Sequence, residues 1–375
     1  MLYKKNSAPE LSDELFRSPS CEYRGTPFWS WNCKLEHDEL MRQIDILKQM
    51  GFGGFHMHVR SGMATPYLSD EFMELVDACV DKAEKEDMLA WLYDEDRWPS
   101  GFAGGLVTSD PQYRIRYLLF TPTPYEVEGG KLREGNEQAT ALRSGLGKLI
   151  AVFDVELDED GCLRRYERVE PNTTPRGRLW YAYVESPQCS PRYNGATYVN
   201  VLDRKSIQRF LEVTHERYFE RFGNEFDRRI PAIFTDEPQF THKTTLSFSD
   251  IARDQAMPWT DDLPDTFREA YGEELIPHIP ELFWELPGNR VSITRYHFHD
   301  HVTDRFVTAF ADTYGNWCRK HNIMMTGHVM HEPRLESQTR SVGEAMRSYR
   351  SFQLPGIDML ANRYELTTAK QAASA

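Results

Sequence analysis

The sequence has no apolar window approaching the roughly 20 residues that span a bilayer. Its first residues, MLYKKN, lack the hydrophobic stretch of a secretory signal. A cytoplasmic protein with no membrane partner is therefore the expectation. Six cysteines, Cys21, Cys33, Cys79, Cys162, Cys189 and Cys318, are scattered with no CxxC pair among them. That spacing speaks against a zinc ribbon or a thioredoxin-type centre. A chain of 375 residues buries a core that needs no disulfide staples, so these are read as reduced thiols. Positive charge is in deficit, with 44 Lys and Arg against 58 Asp and Glu and a formal net charge of −14. Nucleic acid and anionic membrane faces both want a cationic surface, so neither is an expected partner. No motif requires a cofactor.

Aromatic rings are abundant: 8 Trp, 18 Tyr and 21 Phe. Most of them belong in a large core, but the same rings serve as platforms for the apolar faces of sugars. Residues 26–32 (TPFWSWN) read as a short strand, and Leu40, Met41, Ile44, Leu47 and Met50 then recur at helical spacing until Gly51. Residues 52–59 (FGGFHMHV) and 89–93 (LAWLY) are buried-strand candidates, separated by an amphipathic helix that Ser69 opens. Three strand–helix steps in so short a stretch imply parallel strands, which need crossover helices. The rhythm breaks over residues 112–200, where four strands are expected near 113–120, 149–157, 162–169 and 178–184, with turns at 129–130 and 160–161. This is read as a β-rich insertion after the third strand.

Beyond Asp203, the cap of a helix expected over 203–222, the alternation resumes. Strand 230–235 is followed by a loop-rich stretch and one long helix over 291–321. Strand 323–329, helix 336–352, strand 356–360 and a final helix from 367 complete the reading. The fold class is α/β, a (β/α)8 TIM-type barrel that is incomplete at about six βα units, with all 375 residues in one catalytic domain. An open barrel edge exposes unpaired backbone groups, so either a homo-oligomer, such as a dimer, or poor solubility is expected.

Barrel enzymes place their chemistry at the C-terminal ends of the strands. The strand ends here supply Asn32, His56 and His58, Asp94 and Glu95, Asp236 and Glu237, His328 with Glu332 close behind, and Asp358. His56 and His58 share a face, because side chains on a strand alternate. They are read as sugar-hydroxyl contacts, since no further cluster at ligand spacing supports zinc. Glu237 is the candidate general acid: a neighbouring carboxylate and partial burial would keep it protonated near neutral pH. Asp236, on the opposite face of a regular strand, could instead point outward. Glu332 or Glu336 could supply the second carboxylate, and Glu332 is preferred. Trp98, just past the Asp94–Glu95 pair, is a candidate sugar platform. His297, His299 and His301 sit within the long helix and are read as structural or solvated.

The motifs PFWSWN (27–32), GGFHMH (53–58), TPYLS (65–69), WLYDEDRWPSGFAGG (91–105), FTDEP (234–238), TGH (326–328) and LPGID (354–358) form a set. Together they resemble the catalytic domain of glycoside hydrolase family 106, the α-L-rhamnosidases. The similarity runs from about residue 24 to the end and is most specific in the 91–105 motif. It implies a (β/α)8 barrel in much longer proteins, a carbohydrate substrate and an inverting mechanism with two glutamates, and it leaves room for calcium. Carried onto this chain, the resemblance makes Glu237 the general acid and Glu332 the general base. The departure is length, because the chain runs out before a seventh and an eighth strand.

Overall fold

A computed structural model describes residues 10, 12–125, 143–359 and 366–375; the turn expected at 129–130 lies outside them. Two sheets organise the chain. The first is parallel and is built from β1 (Phe28–Trp31), β2 (Gly54–Val59) and β3 (Leu89–Tyr93). The second is antiparallel and begins with β4 (Arg116–Thr121), β5 (Lys148–Leu157), β6 (Leu163–Arg168) and β7 (Arg178–Glu185). The chain then returns to the parallel sheet with β8 (Ala232–Asp236), visits the antiparallel sheet once more with β9 (Gln255–Trp259), and ends with β10 (Met324–His328) and β11 (Leu354–Pro355). Strand orders are β1-β2-β3-β8-β10-β11 and β6-β5-β7-β4-β9.

Strands β2, β3 and β8 are buried along their whole length, as expected of parallel strands covered on both faces. Helices His37–Gln49 and Asp70–Lys85 form the first two crossovers. The second opens with the Ser69 hydroxyl accepting the Phe72 N–H, and it buries Phe72, Val76, Cys79, Val80 and Ala83. The helix expected over 203–222 breaks at Thr214 into Arg204–Val213 and His215–Phe222.

The parallel sheet is rolled but open. Phe28 on β1 and Phe234 on β8 have two strands between them, yet their ring centroids are 4.9 Å from each other. In a flat sheet three strand spacings would separate them by about 14 Å. Rolling brings both edges round one cavity of about 340 Å³, lined by Phe28, His56, Trp91, Phe234, Thr326 and Leu354. Among the described residues no ladder joins β1 to β11, so the six parallel strands do not close into a barrel.

Three further expectations need correction. The stretch read as loop after β8 contains a strand, β9, which pairs antiparallel with β4 of the β-rich insertion. Pro258 disguised that strand. Proline lacks the N–H for one ladder position and is tolerated here because β9 is the edge of its sheet. The helix expected over 336–352 is two short ones, Leu335–Ser341 and Ala345–Tyr349. Gly343 between them has φ 84°, and a Cβ there would sit 2.0 Å from the Thr303 hydroxyl. The last strand is Leu354–Pro355 rather than 356–360, which places Asp358 in the loop beyond it. The long helix of 291–321 runs as Ile293–Phe306 and Asp312–Lys320 through a π-helical turn, Val307–Ala311.

Candidate active site

Strand register sorts the inward side chains of the rolled sheet into layers. Phe28 lies beside His56 and Ser30 beside His58, while Phe234 lies beside Thr326 and Asp236 beside His328. The lower layer, Phe28, His56, Trp91, Phe234 and Thr326, lines the cavity. His56 is fixed by a 3.2 Å contact between Nδ1 and the Thr26 carbonyl, and burial holds its pKa down at about 4, so it is neutral. The upper layer, nearer the C-terminal strand ends, is His58, Tyr93, Asp236 and His328.

Asp236 is the hub of that upper layer. The Tyr93 hydroxyl donates to Oδ2 at 3.0 Å, and His328 Nε2 lies 3.3 Å from Oδ1. His58 Nε2 is 3.8 Å from Oδ2, too far for a hydrogen bond. Asp236 therefore points into the pocket and not outward. Burial alone would raise its pKa, but these partners hold it well below the usual carboxylate range. His328 answers in kind: burial disfavours its cation, yet the Asp236 carboxylate raises it to about 9. His58, 4% exposed, stacks on Phe28 at 4.5 Å and meets Tyr93 edge-on at 4.2 Å. Neither of its ring nitrogens has a hydrogen-bond partner among the described residues. A buried imidazole with both nitrogens unspent is suited to meeting a ligand's hydroxyl groups.

Glu237 follows directly and has φ 49°, an uncommon conformation for a residue with a side chain. Its N–H is held by the His328 carbonyl at 3.1 Å, and the Trp98 indole N–H donates to its Oε2. The carboxyl is only half-buried, and burial lifts its pKa to about 7, with the charge of Asp236 adding to the rise and His328 opposing it. Glu332 is 2% exposed; its Oε1 accepts the Asp358 N–H at 3.1 Å and lies 3.7 Å from His328 Nδ1. Burial raises the Glu332 pKa as well. Glu237, His328 and Asp358 each bring one atom to within 4.8 Å of the others.

Not every expected residue belongs to this group. Asp94 and Glu95 are fully buried on the far side of the strand end. Asp94 accepts from the Ser100 and Tyr314 hydroxyls, and burial raises its pKa to about 7. Glu95 accepts the backbone N–H groups of Asp96, Gly101, Phe102, Ala103 and Gly104. Both therefore shape the loop that carries Trp98 to Glu237. Ser100 completes the stitching, since its hydroxyl also accepts the Asp236 N–H at 2.8 Å. Asn32 is exposed beyond β1.

Two contributors escaped the sequence reading. Tyr93 shares a face with Trp91, and strict alternation along LAWLY would have found it. Arg192, from the end of the insertion, lies with its guanidinium 4.5 Å over the Trp98 ring; no local signal announces a contact between such distant residues.

No protein-family model matches the chain, and no curated protein matches it either. Among solved structures it is similar to a rhamnosidase from Novosphingobium sp. PP1Y, with a TM-score of 0.56 and 12% identity over 92% of this chain. The chain spans 49% of that protein's length. The likeness is one of fold. At that identity it does not select family 106. All six cysteines are free. Among the described residues no helix is long and apolar enough to cross a membrane.

The calcium allowed by the resemblance finds a poor donor set in Glu237, His328 and Asp358. Calcium takes six to eight oxygens, whereas this group offers two carboxylates and an imidazole. That imidazole is flanked by Asp236 and Glu332 and holds its proton to about pH 9, so it opposes a cation.

Proposed function

We propose that this chain is the catalytic part of a glycoside hydrolase that cleaves α-L-rhamnosides or closely related sugar linkages. In this reading the six parallel strands are the larger part of an eight-stranded barrel. The observation that carries it is Glu237. It is a half-buried carboxyl at a parallel-strand end, it keeps its proton up to a pKa of about 7, and the Trp98 indole holds it in place. A general acid must stay protonated at working pH and still give up its proton to a leaving oxygen, so a pKa near neutrality serves both needs. Support comes from the fold shared with a rhamnosidase and from the unspent imidazole of His58.

In the mechanism, Glu237 protonates the glycosidic oxygen as the bond to the anomeric carbon lengthens. Glu332 takes a proton from a water attacking the opposite face, and the anomeric configuration inverts. The cationic His328 between Asp236 and Glu332 keeps Glu332 available as a base against its burial. Asp236, itself held by the Tyr93 hydroxyl, fixes His328, while His58 meets ring hydroxyls.

A second reading has one observation on its side. Asp358 is half-buried, and one of its oxygens lies within 4.8 Å of one on Glu237. Retaining enzymes hold their two carboxyls at about 5–5.5 Å, so Asp358 could act as nucleophile there.

Proton NMR of the first-formed sugar separates the two. An aryl α-L-rhamnoside should give β-L-rhamnose first, with activity lost in Glu332→Gln; α-L-rhamnose first, with activity lost in Asp358→Asn, would establish the second. No hydrolysis by the natural chain would count against both.

A further inference from the structure

The insertion does more than decorate the sheet, because its last loop reaches back to the acid. Residues 190–196 are pinned to the loop after β3. The Asn194 amide donates to Asp96 Oδ2 at 3.0 Å and to the Gly104 carbonyl at 2.9 Å, and Tyr193 meets Phe102 edge-on at 5.2 Å. The Ser190 hydroxyl accepts the Arg192 N–H at 3.2 Å. This anchoring sets the Arg192 guanidinium 4.5 Å over Trp98, whose indole N–H is bonded to Glu237. One indole thus carries a cation over its face and the Glu237 carboxyl at its N–H edge.

Arg192 is exposed, and among the described residues it pairs with no carboxylate. Its neighbour in the loop below, Arg97, is by contrast neutralised by Asp96 at 2.7 Å. The surroundings run the other way: the chain carries a net charge of −14, and Asp236, Glu237, Glu332 and Asp358 gather round His328. Such a site repels an anionic ligand unless a cation is provided for it, and a guanidinium matches a carboxylate with paired N–H donors.

We propose that Arg192 is a specificity-determining residue that binds the carboxylate of a uronic acid on the leaving-group side. The placement rests on the reading of Glu237 as the acid, because the leaving sugar then lies against Glu237 and beside Trp98. A neutral leaving sugar would leave the guanidinium facing water. A uronate fills that place without any change in the donor sugar's contacts.

The test is binding, which needs no turnover. The intrinsic tryptophan fluorescence of the full chain is titrated with methyl β-D-glucuronide and with methyl β-D-glucoside at low salt. The expected result is at least tenfold tighter binding of the glucuronide. That preference should fall to within twofold in Arg192→Gln, return in part in Arg192→Lys, and weaken as salt is added. Matching thermal melting of the variants would exclude misfolding, and a merely structural Arg192 would affect both sugars alike. Equal binding of the two sugars, a preference untouched by Arg192→Gln, or binding of neither would overturn the proposal. If the preference is present and no rhamnoside is hydrolysed, the hydrolase reading falls while the anion site stands.

Discussion

Lys243 is 5% exposed, and among the described residues its ammonium meets only His299 Nδ1, at 2.8 Å, and the face of Phe240. No carboxylate among the described residues is paired with it, and burial lowers its pKa from 10.5 to about 7. The sign follows from proton counting. Between the two pKa values the unfolded chain holds a proton on this lysine and the folded chain does not, so folding stability rises with pH across that window. Each full unit contributes about 1.4 kcal/mol, less near neutrality where the folded group is half titrated. The gain from about pH 7 to about pH 9.5 comes to about 3 kcal/mol. His299, which burial holds at about 3, is neutral throughout that range and adds nothing. The perturbation is Lys243→Met, and the assay is urea unfolding of both proteins at the two pH values. The natural chain should gain about 3 kcal/mol relative to the variant, with the variant the more stable at the lower pH. Parallel pH dependences for the two proteins would refute the reasoning, since the lysine would then be charged in the folded state.

Further outcomes follow from the site and its scaffold. Glu237→Gln should reduce turnover of a disaccharide by about 100- to 10,000-fold, and that of an aryl glycoside far less, because a phenolate leaves with little protonation; equal losses on both substrates would argue against a general acid. Because Glu237 must be protonated and its pKa is raised to about 7, kcat/KM should fall above that pH by up to tenfold per unit, and a flat profile to pH 9 would exclude the assignment. Glu95→Gln replaces an acceptor of five N–H groups with an amide that offers one oxygen, so about 3 kcal/mol of stability should be lost in urea titration. Gly327→Ala places a Cβ 1.9 Å from the Thr235 carbonyl oxygen at φ 121°, and a melting temperature unchanged from the natural chain would contradict that close approach.

The parallel strands were legible because each is a short apolar run bounded by an amphipathic helix, and burial on both faces is written into residues such as LAWLY and AIF. The antiparallel strands β4 to β7 were legible for a similar reason. What escaped was non-local. Nothing in QAMPW says that it will pair with a strand more than 130 residues earlier. No residue of PRYN announces that its arginine will lie on Trp98. The expectation for Asp94 and Glu95 went astray through the alternation rule itself. Tyr93 faces the pocket, so its neighbour Asp94 turns away, and Glu95 is drawn off by the backbone N–H groups of its own loop. A polar residue at a strand end is thus a weak guide by itself, because the loop that begins there needs polar anchors too.

The same rule, broken once, accounts for the placing of Glu237, the proposed acid. In a regular strand Asp236 and Glu237 would face opposite sides of the sheet, and only one could serve the pocket. Asp236 keeps the strand geometry and is taken up by Tyr93 and His328. Glu237 enters the left-handed region at φ 49°, which turns its side chain to Trp98 and brings an oxygen within 4.8 Å of both His328 and Asp358. Two adjacent carboxyls therefore flank His328 with their pKa values driven apart, Asp236 lowered by its donors and Glu237 raised by burial and by the charge of Asp236. The backbone conformation is what makes that division available, and its cost is of order 1–3 kcal/mol. Glu237→Gly should relieve the strain and stabilise the fold while abolishing the acid, whereas Glu237→Gln keeps the strain and loses only the proton. A Glu237→Gly chain less stable than Glu237→Gln in urea would mean that the contact with Trp98 outweighs the strain, and that the turn is held by the side chain rather than imposed on it.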